Sequence, residues 1–301
     1  MTEPTRQPSF HSGFITIAGA PNVGKSTLLN YILGEKISIT SKKPQTTRNR
    51  ILGIRHRPGS QMIFLDTPGI HKATKELNVR IVDTAISVLG DADLILAVAD
   101  VARPDPPSEN ILIKNIQTQG RPVVLALNKI DLVPKTVLLE MIDAWSGRHA
   151  FSAIVPVSAK HGTQVEQLLI EMNAALPEGP PYFPEDALTD LPERFLAAEM
   201  IREKVFRLTG QEIPYATAVT VERYKEPEAS GSVRIHATIH VERPSQKGMI
   251  IGKGGTKLKQ IGEAARKEIQ RLVGRNVFLK LFVRVQENWS KDTKALRRFG
   301  Y

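Results

Sequence analysis

The chain is 301 residues long, 41 % apolar and 24 % charged, which is typical of a globular protein with room for two domains and excludes a disordered chain. It has no cysteine, so disulfides, thiolate metal sites and cysteine nucleophiles are excluded. No apolar run approaches the roughly 18 residues that span a bilayer, and we expect a cytoplasmic protein.

The net charge of +10 is unevenly distributed. Residues 1–191 hold 19 Lys+Arg and 19 Asp+Glu, whereas residues 192–301 hold 22 Lys+Arg against 12 Asp+Glu. A basic domain joined to a neutral one indicates that the second domain meets a polyanion, of which nucleic acid is the commonest. A merely solvated basic surface is the alternative.

The first predicted element is a buried strand at Phe14–Ala18, which runs into the glycine-rich loop Gly19-Ala-Pro-Asn-Val-Gly-Lys-Ser26 and a helix that ends at Gly34. A loop of this form at a helix N-terminus directs several backbone N–H groups at one point and binds phosphate there. Lys25 then reaches the β- and γ-phosphates, and the Ser26 hydroxyl ligates Mg²⁺. The alternative is a glycine turn with a surface lysine.

Two threonines, Thr46 and Thr47, lie in an irregular stretch before a predicted β-hairpin formed by Arg50–Arg57 and Gln61–Asp66. A threonine hydroxyl there completes the Mg²⁺ shell only when GTP is present, so the loop is expected to order with GTP and relax on hydrolysis. We favour Thr47 for this role. A merely polar loop is the alternative.

The motif Asp66-Thr-Pro-Gly69 ends the second strand of that hairpin. Asp66 is placed to hold Mg²⁺ through water, and Gly69 to donate to the γ-phosphate. The next residue is Ile70, which cannot orient water as a glutamine does in Ras-like enzymes. The water-positioning group stays unassigned, and we expect slow intrinsic hydrolysis that RNA, the ribosome, a partner's arginine or K⁺ near Asn22 accelerates.

The run Asn128-Lys-Ile-Asp131 predicts which base is bound. A carboxylate at Asp131 accepts from N1–H and the exocyclic amine of guanine, whereas adenine offers no such pair. Asn128 ties the base to the glycine loop, and the stem of Lys129 covers the ring. Ser158-Ala-Lys160 follows a later strand, where backbone N–H groups can meet the guanine oxygen; this motif is weak by itself.

Further strands alternate with helices and predict an α/β fold, in which a mostly parallel sheet carries helices on both faces. The strands are Asp93–Asp100, Pro122–Lys129 and Ala153–Val157, and the helices are Glu109–Thr118, Lys135–Ser146 and Gln164–Leu176. Four prolines between Pro177 and Pro184 then mark a domain boundary. We expect a flexible N-terminus over residues 1–12, a P-loop GTPase domain over 13–178, a linker over 179–191 and an RNA-binding domain with a C-terminal tail over 192–301.

The C-terminal part has a different order of elements, helix-strand-strand-helix-helix-strand, which is typical of an α+β domain. It comprises a helix at Pro192–Leu208, strands at Tyr215–Lys225 and Ser232–Glu242, a helix at Thr256–Val273 and a strand at Val277–Gln286. The run Ile250-Ile-Gly-Lys-Gly-Gly255 before the basic helix has the Gly-x-x-Gly form with which a KH module clamps single-stranded RNA. A degenerate module that binds protein is the alternative.

The predicted site residues fall into four groups. The catalytic ones are Lys25, Thr47 and Gly69; the metal ligands are Ser26, Thr47 and Asp66; and the RNA-binding residues are Ile251, Gly252, Lys253, Gly254, Gly255 and Lys257. The residues predicted to bind GTP or GDP are Gly19, Ala20, Pro21, Asn22, Val23, Gly24, Lys25, Ser26, Thr27, Asp66, Thr67, Pro68, Gly69, Asn128, Lys129, Asp131, Ser158, Ala159 and Lys160.

With these motifs the chain resembles the Era family of bacterial GTPases over nearly its whole length. The resemblance rests on Gly19–Ser26, Gln45–Asn49, Asp66–Gly69, Asn128–Asp131 and Ser158–Lys160, joined to a KH domain of the second topological type around Gly252–Gly255. It implies GTP hydrolysis with Mg²⁺, binding of the 3′ region of 16S ribosomal RNA and assistance to small-subunit assembly.

The resemblance also implies peripheral contact with the inner face of the cell membrane, and we expect a monomer. Two alternative functions stay open. One is an RNA chaperone in which the nucleotide is only a structural ligand, and the other is a membrane-associated, GTP-dependent regulator whose basic face meets anionic lipid.

Overall fold

The structure, a computed structural model, describes residues 10–41, 43, 46–72, 76–210, 213, 217–227 and 231–299. Residues 1–9 of the predicted flexible segment 1–12, Gln45 of the motif Gln45–Asn49 and the first two residues of the predicted strand at 215 lie outside this part of the chain. The prediction is wrong for His11 and Ser12, which already belong to a strand and are hydrogen-bonded in the sheet. The chain forms two compact units: Met1–Ile37 with Arg50–Asp190, and Ser38–Asn49 with Leu191–Tyr301. The sequence does not predict that Ser38–Asn49 belongs to the second unit.

The first unit is built on a six-stranded sheet in the order β2-β3-β1-β4-β5-β6, in which only the β2–β3 pair is antiparallel. Its strands are β1 (His11–Ala18), β2 (Ile51–Arg57), β3 (Ser60–Asp66), β4 (Leu94–Asp100), β5 (Val123–Asn128) and β6 (Ala153–Val157). Its helices are α1 (Lys25–Leu33), α2 (Glu76–Gly90), α3 (Pro106–Gln117), α4 (Lys135–Ser146) and α5 (Val165–Ala175). Strands β3, β4 and β5 are buried throughout, as expected for strands covered on both faces.

Helix α2 is an element that the sequence analysis did not predict. Its β-branched residues favour a strand by local propensity. The buried residues nevertheless recur with the spacing of one helix face: Ile81, Val82, Ala85, Val88 and Leu89. Two of them, Ala85 and Leu89, join residues of β4, α3 and α4 in one apolar core.

The predicted linker is hydrogen-bonded to the sheet for much of its length. The Ile54 N–H donates to the Leu188 carbonyl at 2.8 Å, and the Thr189 hydroxyl donates to the Leu52 carbonyl at 2.6 Å. The Gln61 side chain accepts from the Tyr182 N–H at 2.7 Å. Residues up to Asp190 consequently group with the first unit.

The second unit is an α+β domain with a three-stranded sheet in the order β7-β8-β9, where β7–β8 is antiparallel and β8–β9 parallel. Its elements are α6 (Glu193–Leu208), β7 (Ala218–Lys225), β8 (Val233–Val241), α7 (Pro244–Ile251), α8 (Thr256–Val273), β9 (Val277–Val285) and α9 (Thr293–Arg298). Apolar residues of α6, α8 and one face of the sheet form a single core. The order of the first six elements is that of the predicted KH domain.

The segment Ser38–Asn49 packs on α6 through polar contacts. The Thr40 N–H donates to the Glu203 carboxylate at 2.9 Å, and the buried Arg202 guanidinium donates to the Thr46 carbonyl at 2.6 Å. Arg48 donates to the Thr217 carbonyl at 2.9 Å. These contacts explain why the segment groups with the second unit although it lies between two elements of the first.

Candidate functional site

The predicted nucleotide motifs converge at one edge of the first sheet. The glycine loop follows β1, Asp66 ends β3, Asn128 ends β5 and Ser158 follows β6. Because these four strands run in parallel, their carboxyl ends share that edge, which is where parallel sheets bind ligands. The sheet therefore brings together the phosphate and base motifs, which lie about a hundred residues apart in the sequence.

The glycine loop is fitted to the side chain of Asn128. Gly24 has a φ of 104°, and a Cβ at this position would lie 2.3 Å from Asn128 Nδ2. That amide nitrogen donates to the Val23 carbonyl at 2.7 Å. The loop can pass this close only because residue 24 has no side chain.

Lys25 lies inside the loop. Its ammonium donates to the carbonyls of Gly19 at 3.0 Å and Ala20 at 2.9 Å, and the residue is only 6 % exposed. Burial lowers the pKa of the ammonium to about 8, and the nearby Asp66 carboxylate partly opposes this effect. A buried cation beside a ring of N–H donors is suited to an anionic ligand.

The residues predicted to hold Mg²⁺ in this unit are in contact with each other. The Ser26 hydroxyl donates to Asp66 Oδ2 at 2.6 Å, and Asp66 is fully buried at the end of β3. Within the described residues no three His, Cys, Asp or Glu side chains cluster as a metal site. One carboxylate and one hydroxyl fit Mg²⁺, which commonly takes only one or two carboxylates and completes its shell with phosphate and water.

Asn128 anchors the base-binding side of the pocket. Its Oδ1 accepts from the Lys129 N–H at 2.8 Å and from the Ala159 N–H at 2.9 Å, while its Nδ2 donates to the glycine loop. This one side chain therefore links the phosphate loop, β5 and the segment after β6. Backbone N–H groups of Ser158–Lys160 were predicted to meet the guanine oxygen; in this structure the N–H of Ala159 is donated to Asn128.

Asp100, at the end of β4, is a site residue that the sequence analysis missed. Its carboxylate forms an ion pair with the Lys129 ammonium and accepts from the Ala102 N–H at 2.9 Å. Lys129 also donates to the Asn22 carbonyl at 2.7 Å and has a left-handed φ of 70°. Asp100 and Asn22 thus fix the direction of the Lys129 stem, which was predicted to cover the guanine ring.

Asp131 is held by Ser158. The Ser158 hydroxyl donates to Asp131 Oδ1 at 2.6 Å, and this hydrogen bond lowers the pKa of the Asp131 carboxyl below its ordinary value. Asp131 is therefore ionised at neutral pH and acts only as an acceptor, which is the form that guanine requires.

The second unit carries the predicted Gly-x-x-Gly turn between α7 and α8. Gly254 and Gly255 have φ values of 61° and 79°, and a Cβ on Gly254 would meet no atom within 4 Å. Lys253 is exposed at the tip, and its carbonyl accepts from the Thr256 hydroxyl at 2.9 Å. The turn is thus open on its outer side, where a phosphate backbone can approach.

A groove of about 440 Å³ continues from this turn between α8 and β9. Leucines line its floor, while lysine, arginine and a single glutamate border it, and the lining includes Gly255, Leu258, Lys259, Glu263, Arg266 and Leu281. An apolar floor with a mostly basic rim fits bases joined by a phosphate backbone.

Comparison with known proteins agrees with both halves of this description. The family model described as a 50S ribosome-binding GTPase matches residues 14–129, and a KH domain model matches residues 212–290. GTPase Era of Geotalea uraniireducens is 54 % identical over 295 residues, covering 98 % of this chain and 99 % of that protein. GTPase Era of Geobacter sp. strain M21 is 55 % identical over 296 residues, with the same coverage.

This chain belongs to the GTPase Era family. Two solved Era structures match it with a TM-score of 0.93 and 42 % identity, covering 97 % of this chain and 99 % of theirs. One is a variant of Aquifex aeolicus Era bound to GDP and AlF4−, and the other is Era in complex with MgGDPNP and nucleotides 1506–1542 of 16S ribosomal RNA. The predicted family, fold class and GTPase activity are confirmed.

Two residues of this Era GTPase to which the sequence draws attention, Ile70 and Thr47, are both buried. Ile70, which follows Asp66–Gly69, is fully buried in the core with Ala85 and Leu89, and its N–H donates to the Gly19 carbonyl at 3.0 Å. The Ile70 side chain therefore contributes to the apolar core and cannot contact an attacking water. Thr47 is buried in the segment Ser38–Asn49 of the second unit, and its role as an Mg²⁺ ligand stays a prediction.

Proposed function

We propose that the chain binds GTP and GDP with Mg²⁺ at the carboxyl edge of the first sheet and hydrolyses GTP there. The contact between Ser158 and Asp131 is the observation that carries the proposal. It keeps the Asp131 carboxylate ionised, and guanine donates two hydrogen bonds to this carboxylate, from N1–H and from the exocyclic amine. Adenine has no donor at those positions and would leave the carboxylate facing an acceptor.

The residues of this chain act mainly by positioning and by charge. The glycine loop holds the phosphates with backbone N–H groups, and Lys25 exchanges its bonds to loop carbonyls for phosphate oxygens. Ser26 and Asp66, with Thr47 as the predicted third ligand, would hold Mg²⁺, which would neutralise charge on the β- and γ-phosphates. Fixing the phosphates for in-line attack by water supplies most of what phosphoryl transfer requires.

We expect intrinsic hydrolysis to be slow because Ile70 occupies the position from which other GTPases orient water. RNA, the ribosome, an arginine of a partner or a monovalent cation at Asn22 is then needed for acceleration. The cation is the simplest of these to test, since the rate should rise when K⁺ replaces Na⁺. Equal rates in the two buffers contradict a site for K⁺ at Asn22.

The second unit is proposed to bind ribosomal RNA through Ile251–Gly255, Lys257 and the groove along α8. The open turn, the basic rim and the excess of Lys+Arg in residues 192–301 support this role. Since an Era of the same fold is known in complex with nucleotides 1506–1542 of 16S ribosomal RNA, we infer that this chain binds the same 3′ region and assists small-subunit assembly.

We further infer that Ser38–Asn49 links the nucleotide to the RNA-binding unit. This segment contains Thr47, which is predicted to ligate Mg²⁺ only when GTP is present, and it is held on α6 by Arg202 and Glu203. Ordering around GTP would therefore compete with its contacts on α6. Hydrogen exchange of residues 38–49 should differ between the GDP-bound protein and the protein bound to a non-hydrolysable GTP analogue; identical exchange contradicts the link.

Multiple-turnover phosphate release tests the enzymatic function against the alternative of an RNA chaperone with a structural nucleotide. The full chain with MgGTP should release many phosphates per protein and should release none from MgATP. Release that stops after one phosphate per protein would support the structural role.

A membrane-associated regulator is the other alternative. Among the described residues no helix is both long and apolar enough to cross a bilayer. We propose that the protein acts in the cytoplasm as a monomer and that peripheral membrane contact is secondary. Vesicles of anionic lipid should displace a bound RNA oligonucleotide only weakly; full displacement favours the membrane role.

A further inference from the structure

One face of the sheet of the second unit is not covered by α6, α7 or α8, although at one end of it His240 is buried against Phe299, the residue after α9. Leu279, Leu281 and Val283 of β9 pack toward the core, so the alternate residues lie on the other side. Strand register places residues of β7 and β8 on this same side, with Arg234 opposite Phe278, and Arg223 in a row with His236 and Lys280. We call this surface the outer face and define it by Arg223, Arg234, Phe278, Lys280, Phe282 and Arg284.

The outer face is strongly basic. All four of its Lys and Arg side chains are exposed, and none forms an ion pair with another described residue. Among the residues of β7, β8 and β9, the one acidic side chain is that of Glu222, whose carboxylate accepts from the Thr238 hydroxyl at 2.7 Å. A surface of this charge is complementary to phosphates.

Two phenylalanines interrupt the charges. Phe278 is 54 % exposed and Phe282 is 44 % exposed, which places them among the large apolar side chains that the fold leaves in contact with water. The Lys280 ammonium lies 5.2 Å from the centre of the Phe282 ring, in cation–π geometry. Since the two rings are four residues apart on one strand, they are separated by about 13 Å, the span of roughly two nucleotide steps.

The outer face is continuous with the groove already described. Leu279, Lys280 and Leu281 line that groove, and β9 is the edge strand of the sheet, with β8 as its sheet neighbour. A strand of RNA that leaves the groove across β9 therefore arrives directly at Phe278 and Phe282.

We propose that the outer face is a second binding surface for single-stranded RNA, on which bases stack on Phe278 and Phe282 while Arg223, Arg234, Lys280 and Arg284 bind phosphates. Exposed aromatic rings set among basic side chains on a β-sheet form a stacking platform that tolerates many sequences. This inference rests on the proposed RNA-binding function and adds to it a contact outside the Gly-x-x-Gly groove.

The test compares two oligonucleotides on the full chain. Tetrauridylate is long enough to fill the groove, whereas dodecauridylate can also reach the outer face. Fluorescence anisotropy should show that Phe278→Leu/Phe282→Leu weakens binding of dodecauridylate about fivefold or more and leaves tetrauridylate unchanged, because leucine keeps the apolar surface and removes stacking. Phe278→Trp/Phe282→Trp is the matched control and should bind as the wild type does.

A second pair of substitutions examines the charges. Arg234→Gln/Arg284→Gln, two outer-face positions that do not line the groove, should lower the slope of log affinity against log salt for dodecauridylate by about 0.7 for each phosphate contact removed. Circular dichroism and GTP hydrolysis of all variants should match the wild type, since none of these residues lies in the nucleotide pocket.

Three results overturn the inference. The first is binding of dodecauridylate by the leucine variant within twofold of the wild type, and the second is a loss of affinity in the tryptophan variant as large as that in the leucine variant. The third is loss of binding to phosphatidylglycerol vesicles by the leucine variant with unchanged RNA affinity, which would assign the face to lipid. If the wild type binds neither oligonucleotide, the proposed RNA function fails together with this inference.

Discussion

The ligand-binding surfaces of the two units hold their charged side chains in opposite ways. In the first unit Asp100, Lys129 and Asp131 are each fixed by a partner, and Asn128 connects them to the glycine loop. In the second unit, the basic side chains of the Gly-x-x-Gly turn and the outer face have no ion pairs within the described residues. A fixed network selects one rigid ligand, whereas unpaired surface charges suit a flexible polyanion.

The largest expected effect sharpens the first half of this comparison. Asp131→Asn replaces the acceptor for two guanine donors and leaves Ser158 in place. The preference for GTP over xanthosine triphosphate should fall by about 100-fold or more, because an amide can donate to the xanthine oxygen where a carboxylate cannot. Competition binding measures it; an unchanged preference contradicts the role of Asp131.

The second prediction concerns the open surface. Lys253→Asp/Gly254→Asp places two carboxylates where RNA phosphates approach, and affinity for a single-stranded RNA should fall about tenfold or more at low salt. Nucleotide binding should not change. Lys294→Asp, which reverses an exposed charge on α9, is the control and should have a much smaller effect; an equal loss would mean that only net charge matters.

The third prediction tests whether the ion pair between Asp100 and Lys129 really fixes the base-binding side of the pocket, as the comparison assumes. Asp100→Asn removes the ion pair with Lys129 but keeps the size of the side chain. Affinity for GDP should fall about fivefold, corresponding to ~1 kcal/mol, because a neutral amide oxygen holds the Lys129 ammonium less strongly than a carboxylate does. Asp143→Asn, an exposed position on α4, should leave the affinity unchanged. No loss in Asp100→Asn would show that the charge of Asp100 is not needed to position Lys129.

The smallest expected effect is the uptake of a fraction of a proton when GDP binds. Because burial lowers the pKa of Lys25 to about 8 in the protein without nucleotide, the ammonium is half ionised at that pH. A bound phosphate raises its pKa, so binding GDP at pH 8 should take up about half a proton, and affinity should fall as the pH rises above 8. Calorimetry in buffers of different ionisation enthalpy measures the uptake; release of protons would contradict it.

Most of the nucleotide site could be predicted from the sequence because each of its motifs can be recognised from a few consecutive residues. The glycine loop, Asp66, Asn128 and Asp131 are each marked by residue type and by a neighbouring strand, and the sheet brings the four together at one edge. Asp100 carries no such mark, since a lone aspartate after a strand is common. Its importance appears only when β4 and β5 are known to be neighbours, which places Asp100 opposite Asn128.

The features that the sequence did not predict depend on long-range packing. Helix α2 is rich in β-branched residues, and only its burial against the sheet reveals the helical spacing. The segment Ser38–Asn49 has no local signal for α6, because its partners Arg202 and Glu203 lie more than 150 residues later in the sequence. The outer face resembles an ordinary alternating strand until its exposed rings are seen.

One crossed experiment tests most directly the claim that a guanine-specific pocket and a separate RNA-binding surface coexist in this chain. Calorimetric titration of Asp131→Asn and Lys253→Asp/Gly254→Asp, each with GDP and with a single-stranded RNA, gives four affinities. The account predicts that the first variant loses GDP and keeps RNA, and that the second loses RNA and keeps GDP. Loss of both ligands in either folded variant, or of neither, would contradict it.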